Sequence, residues 1–232
     1  MRSKEDSIGP HDPRRQRVLN VIAFLTATPL AMLGGGSGGA ESSRLLSSGP
    51  GEITDDAPAL QLPDIPVVLQ AVVEKRGSTV DGPIVELVGP AWRVILDTLA
   101  REPGALTQLT PRQLEELIAA SYDAAGFEEV VLTPRSGDYG RDVIASRRDG
   151  FSIRIIDQVK AYSPGHRVTA NDVRALSGVL HGDPRATKGV VSTTSTFAPG
   201  IDSDPFLSPF IPFRLELFDG AALTERLLNL RS

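Results

Sequence analysis

Three side chains in the middle of this sequence could act on one point: Asp142, Gln158 and Lys160. Asp142 follows the turn Ser136-Gly137-Asp138-Tyr139-Gly140-Arg141, whose two glycines admit positive φ. A strand-like run, Val143-Ile144-Ala145, comes next. Arg147-Arg148-Asp149-Gly150 then reads as a hairpin turn. The run from Phe151 to Ile156 becomes wholly apolar and leads into Gln158-Val159-Lys160. Residues two apart in a strand share a face, so Gln158 and Lys160 point the same way. Pairing of the two strands across the turn brings Asp142 to them. A carboxylate and an amide carbonyl are hard oxygen ligands that suit Mg²⁺. Such an ion polarises a phosphate and acidifies a bound water, while an ammonium offsets charge on the phosphorane. The set therefore suits metal-assisted phosphodiester hydrolysis. The plainer reading is a β-hairpin whose Asp, Gln and Lys are solvated. Asp138 is expected to cap the glycine turn, and Asp157 points to the opposite strand face from Gln158. Arg141 either meets a phosphate backbone or pairs with a nearby carboxylate.

The elements that must hold these residues are readable on both sides. Pro90 to Arg101 is a helix with Trp92, Ile95, Leu96 and Leu99 on one buried face. Thr110-Pro111-Arg112-Gln113 has the form of a capping box with proline at the first helical position. The helix it opens turns Leu114, Leu117, Ile118 and Ser121 inward and ends at Gly126. Val130 to Leu132 is a short strand. Thr169 caps a helix carrying Val173, Leu176, Val179 and Leu180, and Gly189 to Thr194 is the next strand. Phe213 to Phe218 alternates as a strand, after which Asp219-Gly220 opens a closing helix with Leu223, Leu227 and Leu228.

Taken together, Gly137-Asp138-x-Gly140-x-Asp142 and Gln158-x-Lys160, with Tyr162 after it, resemble the Mrr-like restriction endonucleases of the PD-(D/E)xK nuclease superfamily. Ala161 stands where that family commonly has arginine. The similarity continues through Lys188-Gly189-Val190 and Thr193-Thr194-Ser195-Thr196-Phe197 to the closing Asp219-Gly220, and so runs from about Leu109 to Leu230. It implies an α/β fold: a restriction-endonuclease-like core with a central mixed sheet flanked by helices, preceded by a small N-terminal accessory region. The implied order is helix, three strands, helix, strand, strand, helix. It also implies a Mg²⁺-dependent deoxyribonuclease acting on double-stranded DNA in restriction or defence. Asp142 would bind the metal, Gln158 would add an oxygen ligand, and Lys160 would assist the water and the phosphorane. The family opens its domain with a helix bearing Phe-Glu where this chain has Leu114-Glu115, so Glu115 aligns with an acidic residue beside the metal. Its alternative is a solvated helix glutamate. The hydroxyls of Thr193, Thr194 and Ser195 are expected either to meet phosphate oxygens or to cap the following helix. A nuclease fold that has lost catalysis and binds DNA or a partner protein is the competing function.

Composition bounds the rest. The chain has 232 residues, 24 Lys and Arg against 29 Asp and Glu, a net charge of −5 and no cysteine. The absence of cysteine excludes disulfides and thiolate metal sites and fits a reducing compartment. An acidic balance argues against a protein that coats polyanions generally. No GxxxxGK[ST] loop is present for nucleotide-driven movement, and the histidines lack zinc-ligand spacing. We expect residues 1–58 to be a disordered tail, a short apolar segment and a Gly/Ser/Pro linker, 59–104 to be an accessory region ending in a helix, and 105–232 to be the endonuclease domain. Arg14, Arg15 and Arg17 precede the apolar run Val18 to Leu33, which is short for a spanning helix. A cytoplasmic protein is the expectation, with membrane contact or export through that run as the alternative. Cutting both strands points to a homodimer, and residues 1–104 are a candidate docking part for a partner protein.

Overall fold

The computed structural model describes residues 65–89, 91–134 and 140–231. The apolar run Val18–Leu33, Pro90, and the turn residues Ser136 to Tyr139 lie outside them. Among the described residues no helix is long and apolar enough to cross a membrane.

The elements follow in the order α1 (Ile65–Val72), β1 (Val73–Thr79), β2 (Gly82–Leu87), α2 (Trp92–Arg101), α3 (Pro111–Ala124), β3 (Glu129–Leu132), β4 (Val143–Asp149), β5 (Phe151–Lys160), β6 (Arg167–Val168), α4 (Ala170–Gly182), β7 (Lys188–Thr193), β8 (Thr196–Phe197), β9 (Leu215–Phe218) and α5 (Gly220–Leu228). A 3₁₀ helix, Pro103–Gln108, joins α2 to α3. A seven-stranded sheet has the order β1-β2-β3-β4-β5-β7-β9. Neighbours are antiparallel from β1 to β5, and β5, β7 and β9 run parallel. This is the expected α/β core with a mixed sheet; from α3 onward the large sheet keeps the expected order, and β6 and β8 form an additional two-stranded sheet.

Strand alternation divides the core between the two faces. Val130, Leu132, Val143 and Ala145 face the larger apolar cluster, which α1, α2, α3 and α5 complete. Ile156, Val191 and Leu215 face the smaller one, built on Val173, Leu176 and Leu180 of α4 with Ile201 and Leu207. Trp92 is buried in the larger cluster, as its helical spacing requires. The capping box at Thr110 forms in both directions with Gln113, a second forms between Thr169 and Asp172, and Asp219 accepts from the Ala222 N–H. Each satisfies amides that the first helical turn leaves open.

Residues 65–89 join the same sheet and the same core. The β1–β2 hairpin pairs from Val73 with Leu87 to Thr79 with Gly82, and its register shifts between Lys75 and Gly77. Gly82 has φ 144°, and a Cβ there would stand 2.9 Å from the Leu132 carbonyl oxygen, so only glycine lets the turn seat against β3. At the far end of β2, Asp123 of α3 accepts from the Leu87 N–H at 3.0 Å. One expectation needs correction: Arg147 and Arg148 are not turn residues but pair with Ile153 and Ser152, so the strands run on to Asp149 and Phe151 and Gly150 alone turns the chain.

Candidate active site

Asp142 lies one residue before β4, where the paired strands begin. Its N–H donates to the Asp157 carbonyl at 3.1 Å, and its own carbonyl accepts from the Thr133 N–H at 3.0 Å. The carboxylate is oriented by the Val159 N–H, which donates to Oδ2 at 2.7 Å. Val143 pairs with Asp157, so the adjacent Asp142 and Gln158 fall on one face of the sheet, with Lys160 two residues further along it. The Thr133 hydroxyl bonds the Arg141 and Asp142 carbonyls and ties the end of β3 to the entry of β4.

Gln158 is only 6% exposed, and its Oε1 is buried without a hydrogen-bond partner. Its Nε2 lies under Gly140, 3.0 Å from where a Cβ would stand. Gly140 has φ 78°, so the position needs glycine for both space and conformation. Lys160 is half-buried at the end of β5. Glu115, in the first half of α3, lines a cleft of about 410 Å³ together with Asp142, Thr133, Pro134, Thr110, Pro111 and Arg112. Arg112 donates to Glu115 Oε2 at 2.9 Å and to the Thr133 carbonyl at 3.0 Å, and lies 3.6 Å from Glu116. Glu115 is thus an ion-paired, half-buried group beside Asp142 rather than a solvated one. Arg112 was not singled out from the sequence, although its spacing of three from Glu115 is that of a helical ion pair.

The donor set suits a hard divalent cation. Buried polar atoms ordinarily have partners, and the unpartnered Gln158 oxygen is where an oxygen ligand would be wanted. Among the described residues no group of three or more His, Cys, Asp and Glu converges. The oxygens on hand are the carboxylates of Asp142 and Glu115, which line one cleft, and the Gln158 amide on the Asp142 strand face.

Two neighbouring ion-pair networks flank the site. Asp157 is fully buried on the opposite face of β5. Its Oδ2 accepts from the Tyr122 hydroxyl at 2.9 Å and the Ser192 hydroxyl at 3.0 Å and faces Arg226 at 3.7 Å. Burial pushes its carboxyl up to about 7 against the opposing effect of Arg226. Arg141 pairs with Asp81 of the β1–β2 turn at 3.4 Å, and Arg154 reaches the same carboxylate at 3.0 Å and Asp183 at 3.1 Å. Of the two roles open to Arg141, it is the carboxylate pair that forms. The hydroxyls of Thr193, Thr194 and Ser195 donate instead to the carbonyls of Lys160, Tyr162 and His166. They neither cap a helix nor face outward.

The restriction endonuclease family model of the Mrr catalytic type matches residues 106–227, more than half of the chain. Among solved structures, the chain is similar to the MspJI restriction endonuclease in complex with a 27-mer oligonucleotide, at 18% identity and a TM-score of 0.35 over 59% of this chain and 30% of that one. It is similar to the DNA modification-dependent restriction endonuclease AspBHI at 16% identity and 0.41, over 61% and 36%. For restriction endonuclease FokI the values are 13% and 0.41, over 62% and 31%. The chain thus spans about a third of the length of each. No curated protein matches it. On the extent of the family match, the chain belongs to the Mrr-like restriction endonuclease family through residues 106–227.

Proposed function

We propose that this chain is a Mg²⁺-dependent deoxyribonuclease that hydrolyses phosphodiester bonds of double-stranded DNA in restriction or defence. The observation that carries the reading is the buried, unpartnered Oε1 of Gln158 on the strand face it shares with Asp142 and Lys160. Asp142, Glu115 and Gln158 would hold the ion, which supplies polarisation of the phosphate and a more acidic water. Asp142 brings a carboxylate already oriented by a backbone N–H. The Lys160 ammonium donates to the attacking water or to the phosphorane oxygens and offsets their charge. Arg112 fixes the Glu115 carboxylate at the cleft wall. Cutting both strands calls for a second copy of the site, and residues 1–104 remain the candidate for any partner protein.

The test is plasmid cleavage by the purified full chain, on methylated and unmethylated DNA, with Mg²⁺ and with a chelator. Mg²⁺-dependent nicking or linearisation is expected. DNA binding without cleavage on any substrate would assign the chain to the non-catalytic nuclease-fold modules instead.

A further inference from the structure

The chain leaving Lys160 is exposed, yet it is held as firmly as a strand. Three consecutive hydroxyls at the end of β7 reach across to it: Thr193 donates to the Lys160 carbonyl at 2.7 Å, Thr194 to the Tyr162 carbonyl at 2.9 Å, and Ser195 to the His166 carbonyl. Inside the segment, the Tyr162 N–H donates to the Lys160 carbonyl and the His166 N–H to the Ser163 carbonyl. The Tyr162 and His166 rings meet edge to face, 4.2 Å between centroids. The segment ends in β6, which pairs in parallel with β8. This ribbon lies beyond the carboxyl ends of the parallel strands β5 and β7, the end of an α/β sheet where ligands bind.

The ribbon presents basic side chains. Val168 is completely buried, so the alternation of β6 turns the exposed Arg167 outward. Among the described residues, Arg167 makes no ion pair, whereas Arg112, Arg141, Arg154, Arg174 and Arg226 each face a carboxylate. Asp172, in the first turn of α4, is the acid electrostatically coupled to the ribbon. Burial alone would raise its carboxyl, but bonds from Thr169 and the charges of Lys160 and His166 hold it below the usual range. Lys160 and His166 therefore share one electrostatic neighbourhood, and Asp172 is already engaged by the Thr169 N–H and hydroxyl. A fixed backbone bearing a guanidinium and an imidazole, with no exposed apolar patch between them, fits an anion. A preorganised donor loses little freedom on binding it.

We propose that the Tyr162–Arg167 ribbon is a DNA-backbone contact in which Arg167 and His166 hold a phosphate next to the one at Lys160. This rests on the nuclease reading above. Contacts of this kind set register and affinity without reading sequence.

The test is binding of a short fluorescent duplex by the full chain in chelator across a salt series. Arg167→Ala should weaken binding to unrelated sequences alike. It should also flatten the plot of log K against log salt by about 0.9, the share of one phosphate contact. His166→Ala should weaken binding less. Arg148→Ala, exposed at the hairpin end of β4, should match wild type. An Arg167→Ala slope equal to wild type, with wild type binding well, would overturn the ribbon contact alone. A wild-type chain that binds no duplex at the lowest salt, in chelator or with Mg²⁺, would overturn the nuclease reading and the contact with it.

Discussion

Strand β5 carries two polar sites back to back, and they treat their hydrogen bonds in opposite ways. Asp157, facing α3 and α5, accepts hydrogen bonds from two hydroxyls at Oδ2, which also forms an ion pair with Arg226 at 3.7 Å, although the buried Arg226 Nη1 makes no hydrogen bond. The guanidinium of Arg226 in turn lies over the rings of Tyr122 and Phe218, at 4.4 and 5.0 Å. Gln158, one residue on and facing the other way, keeps a buried carbonyl oxygen with no donor. Oδ1 of Asp157 also lacks a hydrogen bond, but a carboxyl pushed up to about 7 can take a proton there. An amide has no such answer. An unsatisfied buried acceptor costs about 1–3 kcal/mol. The ion-paired site is how the fold absorbs a polar group; on the nuclease reading proposed above, the open one takes a ligand.

The largest expected effects fall on the open side. Asp142→Ala and Lys160→Ala should each abolish measurable cleavage, a loss of roughly 3–4 kcal/mol or more in transition-state stabilisation. Lys160→Ala should melt like wild type, its side chain being half-buried rather than core, while Asp142→Ala, which leaves the Val159 N–H without its acceptor, should stay folded but melt slightly lower. Wild-type rates in either folded variant would remove these residues from the site.

On the ion-paired side the losses should appear in stability. Arg226→Met keeps an apolar stem against Tyr122 and Phe218 but strips the Asp157 carboxylate of its cation. About 3–5 kcal/mol should be lost by denaturant titration at pH 8, and clearly less at pH 5, where the carboxyl is protonated. Equal losses at both pH values would mean that Arg226 acts by packing alone.

Asp157 itself sets the sign of a smaller pH effect. Its folded value of about 7 lies above the unfolded value of about 3.9, so the folded state binds the extra proton between them. The associated stability is full below about pH 4 and is lost as pH rises through about 7, at most about 4 kcal/mol in total. Asp157→Asn should flatten that part of the stability profile, and an unchanged profile would show that the carboxylate stays charged in the core.

The smallest effect, that of Gln158→Glu, sharpens the open side, with Gln158→Leu as its contrast. Gln158→Glu adds ligand charge, so cleavage should reach half its maximum at lower Mg²⁺. Gln158→Leu, which removes the oxygen, should be inactive or need far more metal. Three superimposable Mg²⁺ titrations would show that Gln158 only packs beneath Gly140.

Much of the architecture was readable because it rests on local chemistry. The Thr110 box, the Asp219 cap, the Trp92 face and the strand bearing Gln158 and Lys160 are each written in neighbouring residues. Val73–Thr79 was not readable as a strand: its VEKRGST sequence lies mostly exposed, so no apolar alternation marks it. The partners of Asp157 and of the three hydroxyls were hidden for another reason. Arg226 is on the last helix and His166 is a loop residue, and only the completed sheet brings them within reach. Spacing likewise placed Asp142, Gln158 and Lys160 on one face but could not show that Arg112 engages Glu115.

The β1–β2 hairpin has a consequence for solubility. Residues 106–227, the part the family model covers, would by themselves leave β3 at the margin of the sheet. Val130, Val131 and Leu132 form a short apolar strand there, at most 2% exposed in the intact fold. Uncovered, such a margin invites pairing with another copy. Among the described residues the margin is β1, where Lys75 and Arg76 are exposed and the ladder is interrupted between Lys75 and Gly77. Charge and an irregular ladder both discourage a further strand from adding, so a trimmed nuclease should aggregate where the longer chain stays dispersed.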